Sequence, residues 1–220
     1  MREIKRLVRL KVVFVDWHKT LCSCPFFHQL QKQDEALYDK LDHRLFEDMP
    51  IEQFVEWMRG RITKEDIIKR LSGNDLSLSL VADLLKTGCE TMTLDRKDYL
   101  KWIKKIRKKG KKVVIATDNV DTFDDYTVPA LKLNRYFDDI LCSFRLQKLK
   151  YDVVDGKMLF FDDFLKKHGI RYDEAMLIDD SEETIKLCLQ CGMQARLVRT
   201  PEDVLKTLMM IEASCDRREY

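Results

Sequence analysis

Arg9 to Asp16 reads RLKVVFVD, a run of β-branched and aromatic residues closed by a carboxylate. This is the pattern of a strand buried on both faces of a parallel sheet. Beyond Leu21 the period changes. Between Asp34 and Lys86 apolar residues recur at helical spacing, with Leu37, Leu41 and Leu45 on one stripe and Ile51, Phe54, Val55 and Met58 on another. Thr63 stands before Lys64-Glu65-Asp66 as an N-cap with an acidic third position, predicting a helix through Ile67, Ile68 and Leu71. Ser72-Gly73-Asn74-Asp75 then breaks the chain ahead of a further stripe of Leu78, Val81, Ala82 and Leu85. No strand pattern interrupts this block.

From Asp95 the spacing predicts a helix with Tyr99, Trp102, Ile103 and Ile106 on one face and a stop at Gly110, after which KKVVIATDN supplies a second buried strand. The alternation continues with a helix near Asp121 to Leu131, a strand Asp139 to Ser143, a helix Phe160 to His168 and a strand Ala175 to Asp179. A helix from Ser181, a strand Ala195 to Val198 and a last helix opened by Thr200-Pro201 complete it. Strands separated by helices pair in parallel through right-handed crossovers. The expected class is therefore α/β, an open, doubly wound, Rossmann-like parallel sheet built from residues 1–21 and 95–220, with a helical block at 22–94 inserted after the first strand.

Composition narrows this reading without redirecting it. A length of 220 residues suits one core domain with an insertion. With 45% hydrophobic and 35% charged residues, and Lys+Arg 40 against Asp+Glu 38, disorder and a polycationic nucleic-acid arm are both poor fits. Gly 7 and Pro 4 exclude low-complexity linkers. No uncharged apolar run approaches the roughly 18 residues of a membrane span. The basic stretch Arg2 to Lys11 is followed by too few apolar residues for a secretory leader. The odd set of seven cysteines reads as reduced thiols, and a cytoplasmic location is expected. Cys188 and Cys191 have metal-ligand spacing but no matching second pair, so they read as helix packing, as do Cys22 and Cys24 in their loop. Seven basic residues lie between Lys104 and Lys112. They are expected to complement a helix C-terminus in solvent rather than to bind nucleic acid.

Ligands of open α/β sheets sit beyond the carboxyl ends of the strands. The polar residues there are Asp16, the run Thr117-Asp118-Asn119, a lysine from Lys148 or Lys150, and Asp179-Asp180. Carboxylates gathered in one crevice repel unless a cation intervenes, and an oxygen-only set favours Mg2+.

Four segments, VVFVDWHKTL, VVIATDN, SFRLQKLK and MLIDDSEETI followed by CGM, occur in this order. With them the chain resembles the haloacid dehalogenase-like superfamily, mostly magnesium-dependent phosphohydrolases with a Rossmann-like core and an inserted cap. The resemblance implies that Asp16 is the nucleophile that becomes an aspartyl-phosphate. It implies that Thr117 donates to the phosphoryl group and that Lys150 holds both Asp16 and phosphate. Asp118, Asn119 and Lys148 are further substrate-binding candidates, with Lys148, and more distantly Lys157, as alternatives for the lysine. Asp16, the backbone carbonyl of His18 and Asp180 would hold Mg2+, with Asp179 in an outer position.

The chain departs from the family pattern two residues after Asp16, where a second aspartate usually protonates the leaving group and activates water; here stands His18. Lys19 replaces a common glycine, and Tyr151 the proline usual after the lysine. Histidine can act as acid or base near its usual pKa of about 6.5. The resemblance thus implies hydrolysis of a small phosphate monoester through Asp16. The rival is an impaired member that binds a phosphorylated ligand or a protein partner. The block 22–94 would be the cap that selects substrate, with Phe26, Phe27 and His28 as candidates to approach the leaving group and His43 and His168 as surface or core-edge residues.

Overall fold

The computed structural model describes residues 9–215, so most of the basic stretch Arg2 to Lys11 lies outside the described residues. Five parallel strands form the sheet: β1 (Val12–Val15), β2 (Lys112–Thr117), β3 (Asp139–Cys142), β6 (Ala175–Asp179) and β7 (Gln194–Leu197), in the order β3-β2-β1-β6-β7. In register, Val15 of β1 pairs with Ile115 of β2 on one side and Ile178 of β6 on the other. The first strand is therefore central, which is why all four of its residues are apolar and fully buried. Two short antiparallel strands, β4 (Val153–Val154) and β5 (Lys157–Met158), form a separate ribbon that the sequence pattern does not signal. Two residues per strand are too short to show an alternation.

Successive residues of β1 serve opposite faces. Phe14 packs against Phe161 and Phe164, at ring centroid distances of 4.8 and 5.4 Å, in the helix Leu159–Lys167. Val13 and Val15 belong to the other face, covered by the helices Tyr99–Lys108 and Pro201–Ser214. That second hydrophobic cluster does not stop at the sheet. It runs on through Leu41, Leu45, Trp57, Ile67, Leu71, Val81 and Leu85 of the inserted helices.

The insertion comprises α1 (Leu30–Gln33), α2 (Glu35–Phe46), α3 (Ile51–Met58), α4 (Lys64–Ser72) and α5 (Leu78–Glu90). Thr63 and Asp66 form the expected capping box at α4. Polar contacts to three aspartates help to seat this block on the sheet domain. Trp57 donates its indole N–H to the buried Asp121 (2.9 Å), whose other oxygen accepts the Lys64 backbone N–H (2.7 Å). Arg59 makes two 2.7 Å bonds to Asp152, and Lys64 pairs with Asp125 (2.7 Å). Between them the left-handed Gly60 (φ +69°) lies so close to the core that a Cβ there would come within 2.5 Å of the Phe144 carbonyl oxygen.

Two predicted helices differ in detail. The helix expected from Asp95 begins at Tyr99, because Asp95 instead accepts from the backbone N–H and hydroxyl of Ser23 at the root of the insertion. The segment expected as a plain helix over Asp121 to Leu131 contains a π-helical turn, Phe123–Thr127. Val128 donates to the Phe123 carbonyl, and Pro129, having no N–H, cannot make the next α-type bond. The basic helix end is also less solvated than expected. Arg107 bonds Asp138 and Lys109 pairs with Glu212, while Lys111 is buried with its ammonium on the Leu10 carbonyl.

Candidate active site

Asp16 follows directly on β1, 4% exposed, with its backbone N–H bound to the Ile178 carbonyl. Asp179 closes β6 beside it and is fully buried. Between them reaches Lys150 from the loop after β3, its ammonium 2.8 Å from Asp16 Oδ1 and 2.6 Å from Asp179 Oδ2. The Lys150 backbone N–H donates to Asp118 Oδ1 (3.0 Å), tying the lysine loop to the end of β2. Asp179 Oδ1 accepts from the Ser181 backbone N–H (2.8 Å), just ahead of the helix Glu182–Gln190. Ligand atoms of Asp16, Asp179 and Asp180 all lie within 4.8 Å of one another.

The electrostatics follow from one buried cation among several carboxylates. Burial raises the pKa of Asp16 to about 7, helped by the Asp179 charge and opposed by Lys150. Burial likewise raises Asp118, to about 6. For Lys150 burial works against the charge, yet Asp16, Asp179 and Asp118 together outweigh it and hold the ammonium well above its usual range. The site is thus short of positive charge. An all-oxygen set with an excess of carboxylates suits a hard dication such as magnesium better than zinc, which prefers nitrogen and sulfur. In the same loop the buried hydroxyl of Thr20 has no hydrogen-bond partner among the described residues.

The remaining candidates sort by position. Thr117 is fully buried at the end of β2, next to β1, with the Asn119 amide 3.5 Å from its hydroxyl. Asn119 is held by Ser143, whose hydroxyl accepts from its N–H and donates to its carbonyl. Lys148 is not brought to the cluster: its ammonium pairs with Asp163 (2.6 Å) on the helix Leu159–Lys167. Lys157 is exposed on the small ribbon. His18 lines the mouth of the adjacent cavity together with Asp118 and Asn119. The surrounding crevice and then Lys19 hold its imidazolium below the usual range, against the pull of Asp180 and Asp95. Lys19 adopts a left-handed backbone (φ 56°), the conformation glycine takes without steric cost.

Of the aromatic candidates, Phe26 lines the cavity, whereas Phe27 is wholly buried in the core and His28 is spent on the Gly88 carbonyl and the Thr91 hydroxyl within the insertion. His43 is exposed beside Glu47 and Asp48, and the His168 ring lies tilted against Phe164. All seven cysteines are thiols. Cys188 is buried, with its thiol pushed up to about 12. The sequence reading missed Phe46, Phe54, Met58 and Met92 as cavity lining. Their helical spacing marks an apolar face without saying whether it meets other side chains or a void.

No family model matches the sequence, and no curated protein matches it. Solved structures do match. A HAD family enzyme of Bacteroides thetaiotaomicron in complex with magnesium and inorganic phosphate superposes with a TM-score of 0.64 at 16% identity, covering 86% of this chain and 93% of that one. The chain has the haloacid dehalogenase-like fold. The L-2-haloacid dehalogenase of Xanthobacter autotrophicus, with chloropropionic acid covalently bound, shares this fold at a TM-score of 0.60 and 14% identity, covering 96% of this chain and 90% of that one. A protein of Porphyromonas gingivalis described as a predicted HAD-like family hydrolase gives 0.62 at 17% identity, with 86% and 91% covered. Within this haloacid dehalogenase-like fold, no helix among the described residues is long and apolar enough to cross a membrane.

Proposed function

We propose that this chain is a magnesium-dependent phosphohydrolase that cleaves a small phosphate monoester through an aspartyl-phosphate on Asp16. The observation that carries the reading is the position of the Lys150 ammonium, 2.8 Å from Asp16 and 2.6 Å from Asp179, beside a three-carboxylate cluster. Asp16, Asp180 and the His18 backbone carbonyl would hold magnesium, with Asp179 bound to Lys150 behind them. When bound, magnesium supplies neutralising charge for the phosphoryl oxygens, so that a carboxylate can approach phosphorus.

The residues of the chain divide the remaining work. Lys150 holds Asp16 in place and shares the charge of the transferring group, and Thr117 donates to a phosphoryl oxygen. Asp16 forms the new O–P bond as the bond from phosphorus to the ester oxygen breaks, and His18 in its protonated form gives that oxygen a proton. The neutral imidazole then takes a proton from the water that attacks phosphorus, which frees phosphate and restores both the Asp16 carboxylate and the imidazolium. Residues 22–94 act as a cap over the crevice, excluding water and selecting the ester. The complex of a similarly folded enzyme with magnesium and phosphate supports this choice of chemistry. So does the Asp179-Asp180 pair, against a dehalogenase reading.

Release of phosphate from an aryl phosphate tests the proposal. Turnover is expected to need magnesium and to fall about a thousandfold or more in Asp16→Asn. Activity that survives this substitution ends the proposal. Absence of turnover across a broad ester panel despite magnesium binding establishes the rival, a binding protein in which His18 marks lost activity. His18→Ala is expected to slow breakdown of the phosphoenzyme by roughly 10²–10⁴-fold, and His18→Asp to restore it. Equal rates in all three proteins remove His18 from the chemistry.

A further inference from the structure

A cavity of about 540 Å³ opens beside His18, Asp118 and Asn119, between the strand-end loops and the inserted helices. This lies within the roughly 300–1,000 Å³ typical of small-molecule sites. Its two walls differ in origin and agree in chemistry. On the insertion side Phe26, Phe46 and Phe54 form a ring network, with centroids 6.3 Å apart for Phe26 and Phe46 and 5.8 Å for Phe46 and Phe54, backed by Trp57 and extended by Met58. On the sheet side Trp17 and Phe123 stand 5.3 Å apart.

The polar members of the lining do not alter this character. His18 and Lys19 come from the loop that carries Asp16, and Asp118 and Asn119 from the end of β2. Three hydroxyls in the lining are committed elsewhere, Thr127 to the Cys89 carbonyl (3.1 Å), Ser23 to Asp95 (2.6 Å) and Thr122 to the Cys89 thiol. Neither Phe26, Phe46, Phe54 nor Met58 offers a charge or a strong hydrogen-bond donor. A sugar hydroxyl or second phosphate seated against that wall would lose water without a replacement partner, at a cost of roughly tenfold in affinity or more per group. An apolar ring gains by the same contact and can meet the aromatic edges at favourable angles.

We propose that the organic part of the substrate is an uncharged, apolar alcohol, aromatic or branched, rather than a sugar, polyol or nucleoside. The proposal rests on the phosphate-ester reading of Asp16 and specifies what lies on the far side of the ester oxygen. Phe46 and Phe54 are its specificity-determining residues.

Two measurements on the full chain with magnesium test it. The first compares binding of benzylphosphonate and methylphosphonate, which cannot be hydrolysed; benzylphosphonate is expected to bind at least tenfold more tightly. The second compares kcat/KM for benzyl phosphate and glucose 6-phosphate, both esters of primary alcohols, and benzyl phosphate is expected to lead by about a hundredfold or more, tenfold for each of two unmatched hydroxyls. Phe46→Ser and Phe54→Ser are each expected to shrink the benzyl-to-methyl ratio at least threefold. Phe46 is already half exposed, so its removal takes little from the core. Equal phosphonate affinities, no benzylphosphonate binding, or a ratio unchanged in both variants overturns the inference. Phosphonate discrimination without ester turnover leaves the cavity's apolar preference standing, for a bound ligand rather than a substrate, and sinks the hydrolase reading; turnover with equal kcat/KM does the reverse.

Discussion

The carboxylate cluster and the cavity beside it are built on opposite principles. In the cluster Asp16, Asp179 and Lys150 are buried ionisable groups bound to one another: one ammonium serves Asp16 and Asp179, and a backbone N–H fixes Asp179 from the other side. In the cavity the wall facing the insertion is made of rings and thioethers, held by packing, and the helices that carry it are seated in part by polar contacts at Trp57, Arg59 and Lys64. Strand ends can hold buried charge because the sheet fixes their backbones; inserted helices that share the hydrophobic core can present a smooth apolar surface but little directional bonding. The chemistry is therefore specified by strand ends and the fit by helices.

Lys150→Met breaks this contrast most severely. It leaves two buried carboxylates facing each other, and the metal-free protein is expected to lose about 3–5 kcal/mol in urea denaturation. A loss under 1 kcal/mol would mean that the ion pairs are not formed as described. Trp57→Phe sharpens the contrast from the other side. Asp121 loses the indole N–H and keeps its backbone partners at Lys64 and Thr122, and a loss of about 1–3 kcal/mol is expected in the same assay. Gly60→Ala should cost a similar amount, about 1–3 kcal/mol, because the new methyl meets the Phe144 carbonyl and the backbone is left-handed. Its discriminating signature is a poorer KM with kcat largely retained, as expected for an insertion displaced from its seat.

The smallest effect belongs to Arg59→Met, roughly 1 kcal/mol, since both partners of this ion pair keep some contact with solvent. The Arg59 guanidinium holds the Asp152 carboxyl below its usual range. A depressed carboxyl contributes its stability above the ordinary carboxylate pKa and loses it as pH falls through the lowered value. The difference between wild type and Arg59→Met should accordingly be constant at neutral pH and vanish only in acid below that range. A difference that disappears between pH 5 and 7 contradicts the assignment.

These regions also differ in how far the sequence reveals them. Asp16, Thr117 and Asp179 each end a buried strand, and a strand that ends in a polar residue is visible in one dimension. The choice between Lys148 and Lys150 is not, because both lie in a short irregular loop and only the fold shows one ammonium turned to Asp163 and the other to Asp16. The cavity is still less legible. Phe46 directly follows the core residue Leu45 at the end of α2, Phe54 has the same i, i+4 spacing to Met58 as any packed pair, and Trp57 meets Asp121 across 64 positions that carry no local pattern. The change of period suggests a split of the chain into residues 22–94 and the rest, yet one hydrophobic cluster runs through both.

The central place of β1 has a consequence for how the molecule breathes. With a neighbour on each edge, the amides of Val13, Phe14 and Val15 are sealed by ladders that only deep opening can part, while α3 and α4 join the sheet domain through packed side chains and a handful of polar bonds, with no shared ladder. Deuterium should thus enter residues 51–72 well before it reaches 13–15, so that Asp16 keeps its backbone through excursions in which the apolar cavity wall comes and goes.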